Sequence, residues 1–235
     1  MEISNCQLPT ANWLLADVEI ITTKIVLKMI TVRNKLIVFT RYPTVGKTKT
    51  RLIPVLGKEG AANLHRLMAQ KTIARALSLE NSDVLSVEIY YAGGSQQLMQ
   101  DWLGPDLIYH NQGQGDLGAR MAAAFQNSLD SGIDKVAIIG TDCPDLKAEI
   151  MSKAFDELDR SDLVLGPAKD GGYYLIGLCR SLPELFGGIN WGTDEVLAQT
   201  RAIAQKLGLN IAELPTLADI DRPEDLFDLD MYILQ

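Results

Sequence analysis

Positive charge is concentrated in the loop that follows the first predicted strand. Residues 36–39 are all apolar and predict a buried strand, after which Pro43 and Gly46 break the regular pattern. Four cations follow within eleven residues, with no acid among them: Arg41, Lys47, Lys49 and Arg51. The whole chain has a formal charge of −8, so the positive charge of this loop is opposite in sign to that of the protein as a whole. Basic loops at the carboxyl ends of parallel strands commonly hold phosphates, so we expect a phosphate site here.

Lys49 and Arg51 are candidate phosphate ligands in this loop. They lie two residues apart, so in an extended segment their side chains would point the same way. Hydrogen bonds between a cation and a phosphate are among the stronger ones in proteins, at roughly 1.5–3 kcal/mol each. The alternative is a solvated loop with ordinary surface cations.

Asp142 is the strongest acidic candidate. It follows the predicted strand 135–140, and Pro144 prevents that strand from continuing, so Asp142 should stand at a carboxyl end. A carboxylate in that position, together with substrate phosphates, is a typical ligand set for Mg²⁺. The alternative is an aspartate that merely forms the turn.

Two further aspartates could do chemistry. Asp170 precedes Gly171 and Gly172 in a predicted hairpin, where it could accept a proton from a hydroxyl group or simply stabilise the turn. Asp221 lies two residues before Pro223, where it could be a second metal ligand or could cap the final helix.

The regular pattern of the chain predicts an α/β protein. Strands are predicted at 36–39, 84–91, 107–109, 135–140, 162–166, 173–178 and 210–214. Helices are predicted at 59–79, 96–102, 117–129, 147–158 and 194–207, with caps at Ser95, Asp116 and Thr193, and a last helix from Pro223 to about Met231. This order predicts a three-layer α/β/α sandwich with a mostly parallel sheet and an antiparallel hairpin.

Residues 1–33 contain no recognisable motif. They are either an extension upstream of a natural start at Met29 or an element that packs on the domain edge. We therefore divide the chain into an N-terminal extension of uncertain status, 1–33, and one domain, 34–235.

Composition and charge exclude several classes of protein. The acidic balance argues against nucleic acid as a general partner, because no excess cation is available for a long phosphate track. The apolar stretch 13–32 contains four charged residues, which argues against a membrane span. Three cysteines, Cys6, Cys143 and Cys179, make an odd number without close pairing, so we expect a cytoplasmic protein.

For several polar and aromatic residues, a structural role explains their presence at least as well as a role in the site. Tyr173 and Trp191 could line an acceptor pocket or belong to the core. His65 is predicted to be a surface or core residue, and Cys143 a small packing residue, because no adjacent base would activate it.

Four stretches together resemble one known family. They are the segment 39–51 around Lys49, the glycine-rich segment 112–121, the segment 140–144 around Asp142, and the segment 166–177 around Asp170. The chain resembles, over about residues 35–230, the bacterial glycosyltransferase-A-like family within the nucleotide-diphospho-sugar transferase superfamily. Some members of that family are described as arsenosugar-biosynthesis glycosyltransferases.

The resemblance implies a fold and an activity. It implies the nucleotide-diphospho-sugar transferase fold and a metal-assisted glycosyltransferase that uses a nucleoside-diphosphate-sugar donor with Mg²⁺ or Mn²⁺. Arg41, Gly46, Lys49 and Arg51 would surround the diphosphate, and similarity to sugar-phosphate uridylyltransferases implies that Gln112 and Gly115 contact the nucleobase. The base, the sugar, the acceptor and the oligomeric state are left open by the sequence.

The chain also departs from the pattern of the family. The glycosyltransferase signature usually has two aspartates spaced by one residue, whereas here Asp142 and Asp145 are separated by Cys143 and Pro144. Asp221 is therefore the candidate for a second ligand. The first alternative is a nucleotidyltransferase that releases pyrophosphate, although only Gly46 remains of the glycine-rich turn expected there. The second is a nucleotide-binding module without catalysis, against which Asp142 and Asp170 argue.

Overall fold

The structure is a computed structural model that describes residues 33–81 and 84–228. The predictions for residues 1–32 and for the end of the last helix lie outside the described residues. Within the described part of the chain, no helix is long and apolar enough to cross a membrane.

Seven strands in the described residues form one sheet. They are β1 (Asn34–Arg41), β2 (Leu85–Ala92), β3 (Ile108–Asn111), β4 (Lys135–Ile139), β5 (Leu163–Pro167), β6 (Tyr173–Leu178) and β7 (Ile211–Glu213). Their order across the sheet is β3-β2-β1-β4-β6-β5-β7. Only β6 runs antiparallel to its neighbours, and the other pairs are parallel. This confirms the mostly parallel sheet with an antiparallel hairpin.

Five α-helices in the described residues cover both faces of the sheet. They are α1 (Ile53–Leu77), α2 (Gln96–Leu103), α3 (Leu117–Asp130), α4 (Ala148–Glu157) and α5 (Val196–Lys206). Helices α1, α2 and α4 contribute to the core on one face, whereas α3 and α5 contribute to the core on the other. Short 3₁₀ turns occupy Thr50–Leu52, Ser78–Asn81, Pro183–Phe186 and Pro223–Asp228. The predicted three-layer sandwich is confirmed.

The central strands are buried on both faces of the sheet, so the loops at their carboxyl ends are attached to a well-packed core. In β1, Leu36 and Val38 face one core and Ile37 faces the other, and all three are fully buried. Each such side chain stabilises the fold by about 1.5–3 kcal/mol. The runs of consecutive apolar residues in β1 and β4 follow from this double burial.

Two α-helices begin more than one residue away from their predicted starts. Helix α1 begins at Ile53 rather than 59 and is interrupted at Gly57, whose φ of 70° and ψ of 170° are outside the helical region. Thr193 does not cap α5, because that helix begins at Val196 and the Thr193 hydroxyl bonds to the Asn190 carbonyl. Asp116 and Ser95 do cap their helices.

Candidate active site

Four loops meet at the carboxyl edge of the sheet. They follow β1, β4, β5 and β7, whose carboxyl ends all lie on that edge because these strands are parallel. The Ile220 amide donates to the Asp142 carbonyl at 2.9 Å, which attaches the loop after β7 to the loop after β4. Ala168 forms a parallel bridge with Leu217, which attaches the same loop to the end of β5.

Lys49 is buried at this edge. Its backbone is in the left-handed region (φ 48°, ψ 47°), and it is the only residue other than glycine with a positive φ in the described chain. This conformation costs roughly 1–2 kcal/mol, so the surrounding contacts must maintain it. The side chain is only 3% exposed, and its ammonium group lies 2.6 Å from Asp142 Oδ1 and 2.5 Å from the Ile220 carbonyl oxygen.

Arg51 reaches the same cluster from the solvent side. Its side chain is 57% exposed and forms an ion pair with Asp221 Oδ2, while the second oxygen of Asp221 lies 3.9 Å from the Lys49 ammonium. Both cations are therefore near Asp221, but the extended segment on which the sequence-based prediction depended is not present. The loop is not extended, because Lys49 is left-handed and a 3₁₀ turn follows it.

Asp142 combines exposure with a strong cationic neighbour. Its side chain remains 53% exposed although its inner oxygen contacts Lys49. Loss of solvent around the group would by itself raise its pKa, but the charge and hydrogen bond of Lys49, with a contribution from Arg41, outweigh that effect. The pKa of Asp142 therefore lies below its ordinary value, and the group is a carboxylate at neutral pH.

His65 belongs to the site, although the sequence predicted only a surface or core residue. It is 4% exposed, its Nε2 lies 3.0 Å from the Arg41 carbonyl oxygen, and its Nδ1 lies 3.9 Å from Asp142 Oδ1. Burial lowers the pKa of His65, while Asp142 acts in the opposite direction. The contact with the carbonyl assigns the proton to Nε2. The available signal was its position one turn after Ala61 and one turn before Met68 on the buried face of α1.

The sequence also did not predict a role for Arg75 in positioning the site. Its guanidinium donates to the carbonyl oxygens of Pro144 and Leu146, the latter at 3.1 Å, and so attaches α1 to the loop that carries Asp142. No local pattern marks this role, because the two carbonyls are about seventy residues away in sequence.

The loop after β7 collects acidic groups. The Asp221 carboxylate pairs with Arg51, whereas Asp225 accepts hydrogen bonds from the amides of Asp221 and Arg222. Among the described residues, the Asp221 carboxylate contacts Arg51 and Lys49. Burial raises the pKa of Asp219, with further contributions from Asp170, Asp225 and Asp142. These mutual effects place four acids in one electrostatic neighbourhood.

Asp170 stands in a turn that is fixed by its neighbours. Its Oδ1 accepts a hydrogen bond from the Gly172 amide at 2.8 Å, which is the turn-forming arrangement considered above. Gly171 has a φ of +87°, and a Cβ atom there would come within 2.1 Å of the Asp194 carbonyl oxygen. Its own carbonyl accepts a hydrogen bond from Leu197 at 2.9 Å, so the turn is packed against the start of α5.

Gln112 has a structural role in addition to the one predicted. Its amide nitrogen donates to the carbonyl oxygens of Thr40 at 3.0 Å and Tyr90 at 2.9 Å, which are on the two central neighbours β1 and β2. Both amide hydrogens are thus used within the protein. A contact of the Gln112 side chain with a nucleobase would therefore use Oε1 as an acceptor.

The glycines of the two loops have different surroundings. Gly115 (φ +97°) closely approaches Ala119, and Gly46 (φ +76°) lies near the stem of Lys58. At Gly118, a Cβ atom would come within 2.5 Å of the Trp191 indole, so this ring lies directly on the start of α3. Trp191 also packs edge-on against Tyr173, and both rings are only partly exposed at the margin of the core.

Carboxylates at this edge are the donors available for a metal ion. In the described part of the chain, no three His, Cys, Asp or Glu side chains are grouped closely enough to hold a metal ion. Asp142 and Asp221 are nevertheless hard oxygen donors of the kind that Mg²⁺ and Mn²⁺ prefer, and they meet at one point together with the Ile220 carbonyl. Burial raises the pKa of the Cys143 thiol, which agrees with a packing role.

Comparison with known proteins identifies relatives of the chain. Residues 73–193 match the model of the family DUF2064, described as an uncharacterized protein conserved in bacteria. The chain is 36% identical, with a TM-score of 0.77, to a protein from Desulfovibrio desulfuricans G20 provisionally assigned as a nucleotide-diphospho-sugar transferase. That match covers 83% of this chain and 85% of the other. No curated protein matches the chain.

More distant solved structures share the fold. One is the 4-diphosphocytidyl-2C-methyl-D-erythritol synthase of Anaerococcus prevotii DSM 20548, with 10% identity, a TM-score of 0.58 and coverage of 87% of this chain and 100% of the other. Another is the inositol-1-phosphate CTP transferase of T. maritima, with 17% identity, a TM-score of 0.51 and coverage of 86% and 94%. The fold is that of the nucleotide-diphospho-sugar transferases and cytidylyltransferases, and the chain belongs to the DUF2064 family.

Proposed function

We propose that this protein is a transferase for a nucleotide-activated substrate, and that it moves a sugar from a nucleoside-diphosphate-sugar donor with the help of Mg²⁺ or Mn²⁺. The observation that carries the proposal is the contact of the buried Lys49 ammonium with Asp142 at the carboxyl edge of the sheet. The similarity to a protein assigned as a nucleotide-diphospho-sugar transferase supports it.

The basic residues would act on the diphosphate. In sugar transfer, the bond between the anomeric carbon and the diphosphate oxygen breaks, so negative charge increases on the departing group. Lys49 and Arg51 would stabilise that charge by electrostatic interaction and hydrogen bonds, and Arg41 would add its charge from the end of β1. Gly46 would let the loop backbone approach the phosphates.

The acidic residues would hold the cation and accept the proton. Asp142 and Asp221 would hold the metal ion, which when bound supplies further neutralisation of the diphosphate charge. Asp170 would accept the proton of the acceptor hydroxyl, since its Oδ1 is fixed by the Gly172 amide and the group is exposed. Gln112 and Gly115 would contact the nucleobase, Gln112 through Oε1.

Nucleotidyl transfer is the second candidate. It is favoured by the shared fold with two cytidyl- or CTP-dependent enzymes. In that reaction a phosphate oxygen of the acceptor would attack the α-phosphorus of a nucleoside triphosphate, and pyrophosphate would leave. An acceptor phosphate is already deprotonated at neutral pH, so Asp170 would not be needed as a base.

A binding and turnover panel tests the proposal. The full chain is titrated with nucleoside diphosphates, triphosphates and nucleotide sugars, with and without Mg²⁺ or Mn²⁺, and donor hydrolysis and pyrophosphate release are followed in the same samples. We expect Lys49→Ala to raise the dissociation constant for the preferred nucleotide by roughly tenfold or more, because one charge-assisted contact is lost. Lys47→Ala is the matched control, since Lys47 is exposed in the same loop.

The outcomes of the panel separate the candidates. Hydrolysis of a nucleotide sugar that Asp170→Asn abolishes while binding persists supports sugar transfer. Release of pyrophosphate from a triphosphate supports nucleotidyl transfer instead. Nucleotide binding without any turnover indicates a binding module, and an unchanged dissociation constant in Lys49→Ala refutes the phosphate role of that residue.

A further inference from the structure

The ammonium group of Lys49 lies where three oxygen atoms meet. Asp142 Oδ1 is at 2.6 Å, the Ile220 carbonyl oxygen at 2.5 Å and Asp221 Oδ1 at 3.9 Å. Two carboxylates and a backbone carbonyl are donors that hard divalent cations use. The protein thus places one of its own cations at the point where a metal ion would be held.

Lys49 approaches this point from inside the protein. Its side chain is 3% exposed, whereas the side chains of Asp142 and Asp221 are 53% and 36% exposed. A metal ion arriving from solvent would therefore meet the two carboxylates with the ammonium already between them. Positive charges repel each other strongly at such short separations, so the ion and the ammonium cannot share these oxygens.

We propose that Lys49 is an internal counter-cation that excludes divalent metal ions from Asp142 and Asp221 until a phosphate ligand draws the ammonium away. This inference rests on the proposed function, because it assumes that the ligand carries phosphates. It assigns an order to the site, in which the metal ion is bound only together with the phosphates.

The chain has the means for such an exchange. Lysine has a flexible stem of four carbons and a compact charge that can move between neighbouring oxygen atoms. A diphosphate offers several anionic oxygens, which replace the carboxylate partner without leaving the ammonium unpaired. Arg51, at 57% exposure, already extends from Asp221 towards the solvent side from which phosphates would arrive. Because binding free energies are reciprocal, the phosphate ligand and the metal ion must then each strengthen the binding of the other.

Mn²⁺ alone is the probe that tests the exclusion. The full chain without nucleotide is titrated with Mn²⁺, and free Mn²⁺ is measured by electron paramagnetic resonance. We expect weak binding by the unsubstituted protein and by the control Lys47→Met. Lys49→Met should bind one Mn²⁺ at least tenfold more tightly, and the double variant Lys49→Met/Asp142→Asn should lose that gain.

A second variant guards against a folding failure. Lys49→Gly also removes the ammonium, and glycine adopts the positive φ of this position without strain. If circular dichroism shows Lys49→Met to be unfolded, the Lys49→Gly variant decides. The proposal is overturned if a folded Lys49 variant binds Mn²⁺ no more tightly than the unsubstituted protein does.

The metal titration is independent of the nucleotide panel. If Lys49 variants gain Mn²⁺ affinity but no nucleotide binds, the exclusion stands and the proposed function fails. If nucleotides bind but the variants gain no Mn²⁺ affinity, the proposed function stands and the exclusion fails.

Discussion

The contact between Lys49 and Asp142 predicts an asymmetric effect on stability. In Asp142→Asn, the Lys49 side chain, which is 3% exposed in the unsubstituted protein, loses the carboxylate partner that lies 2.6 Å from its ammonium group. In Lys49→Met, Asp142 loses the ammonium group, but its side chain is already 53% exposed in the unsubstituted protein, so water can solvate it. Asp142→Asn should therefore lose more stability through this contact than Lys49→Met does.

The magnitude follows from the type of contact. A hydrogen bond to a charged group contributes about 1.5–3 kcal/mol, and the exposure of Asp142 reduces this through solvent screening. We expect Asp142→Asn to lower the free energy of unfolding by about 1–2 kcal/mol, because the asparagine oxygen still accepts a weaker hydrogen bond. In the Lys49→Met background the same substitution should cost less than about 0.5 kcal/mol.

Urea denaturation of the four proteins measures both quantities. The single variants, the double variant and the unsubstituted protein form a double-mutant cycle, and equal m-values would show that the unfolded states are comparable. An equal loss in both backgrounds would refute the reasoning, since the ammonium and the carboxylate would then be energetically independent. A gain in stability from Asp142→Asn would show that repulsion from the neighbouring acids outweighs the contact.

Three further predictions concern the surroundings of this pair. Gly171→Ala should destabilise the protein by about 2 kcal/mol more than Gly192→Ala, measured by urea denaturation, because both glycines have a similar positive φ but only the first would strike the Asp194 carbonyl. Asp219→Asn should raise the melting temperature at pH 7, because the raised pKa of Asp219 means that its charged form is disfavoured in the fold; the gain should shrink as the pH falls through that raised pKa and be absent below the ordinary value of 3.8. Arg75→Met should weaken nucleotide binding while Arg75→Lys retains most of it, as isothermal titration would show; equal weakening by both would contradict a role through the Pro144 and Leu146 carbonyls.

The layers of the fold could be predicted because they depend on local patterns. Apolar runs such as 136–139 indicate strands that are buried on both faces, and the hairpin was marked by Gly171 and Gly172. The cap at Asp116 was likewise local, since its carboxylate accepts from an amide only three residues away. The predicted start of α5 was wrong because threonine is a common N-cap residue, whereas the Thr193 hydroxyl here donates to the Asn190 carbonyl in the preceding turn.

The site was predictable in position but not in its internal contacts. The basic loop and Asp142 follow strands that the sequence identifies, and parallel strands place such loops on one edge. That Lys49 is buried could not be predicted, because its partner Ile220 is 171 residues away and a cation in a loop usually indicates solvent exposure. The same holds for Gln112, whose amide binds carbonyls on two strands that the sequence does not show to be adjacent.

Helix α1 contacts both the end of β1, from which the basic loop begins, and the loop after β4, which carries Asp142. His65 holds the Arg41 carbonyl at the end of β1, and Arg75, on the same helix, holds the carbonyls of Pro144 and Leu146 after β4. Strands β1 and β4 are themselves paired in the sheet, so both loops are attached to a common rigid frame. Because both loops are attached in this way, we expect a change in the distance between Lys49 and Asp142 to come from the lysine side chain rather than from an opening of the loops. The proposed exchange of partners by the Lys49 ammonium would therefore need no domain movement to couple phosphate and metal binding at this edge.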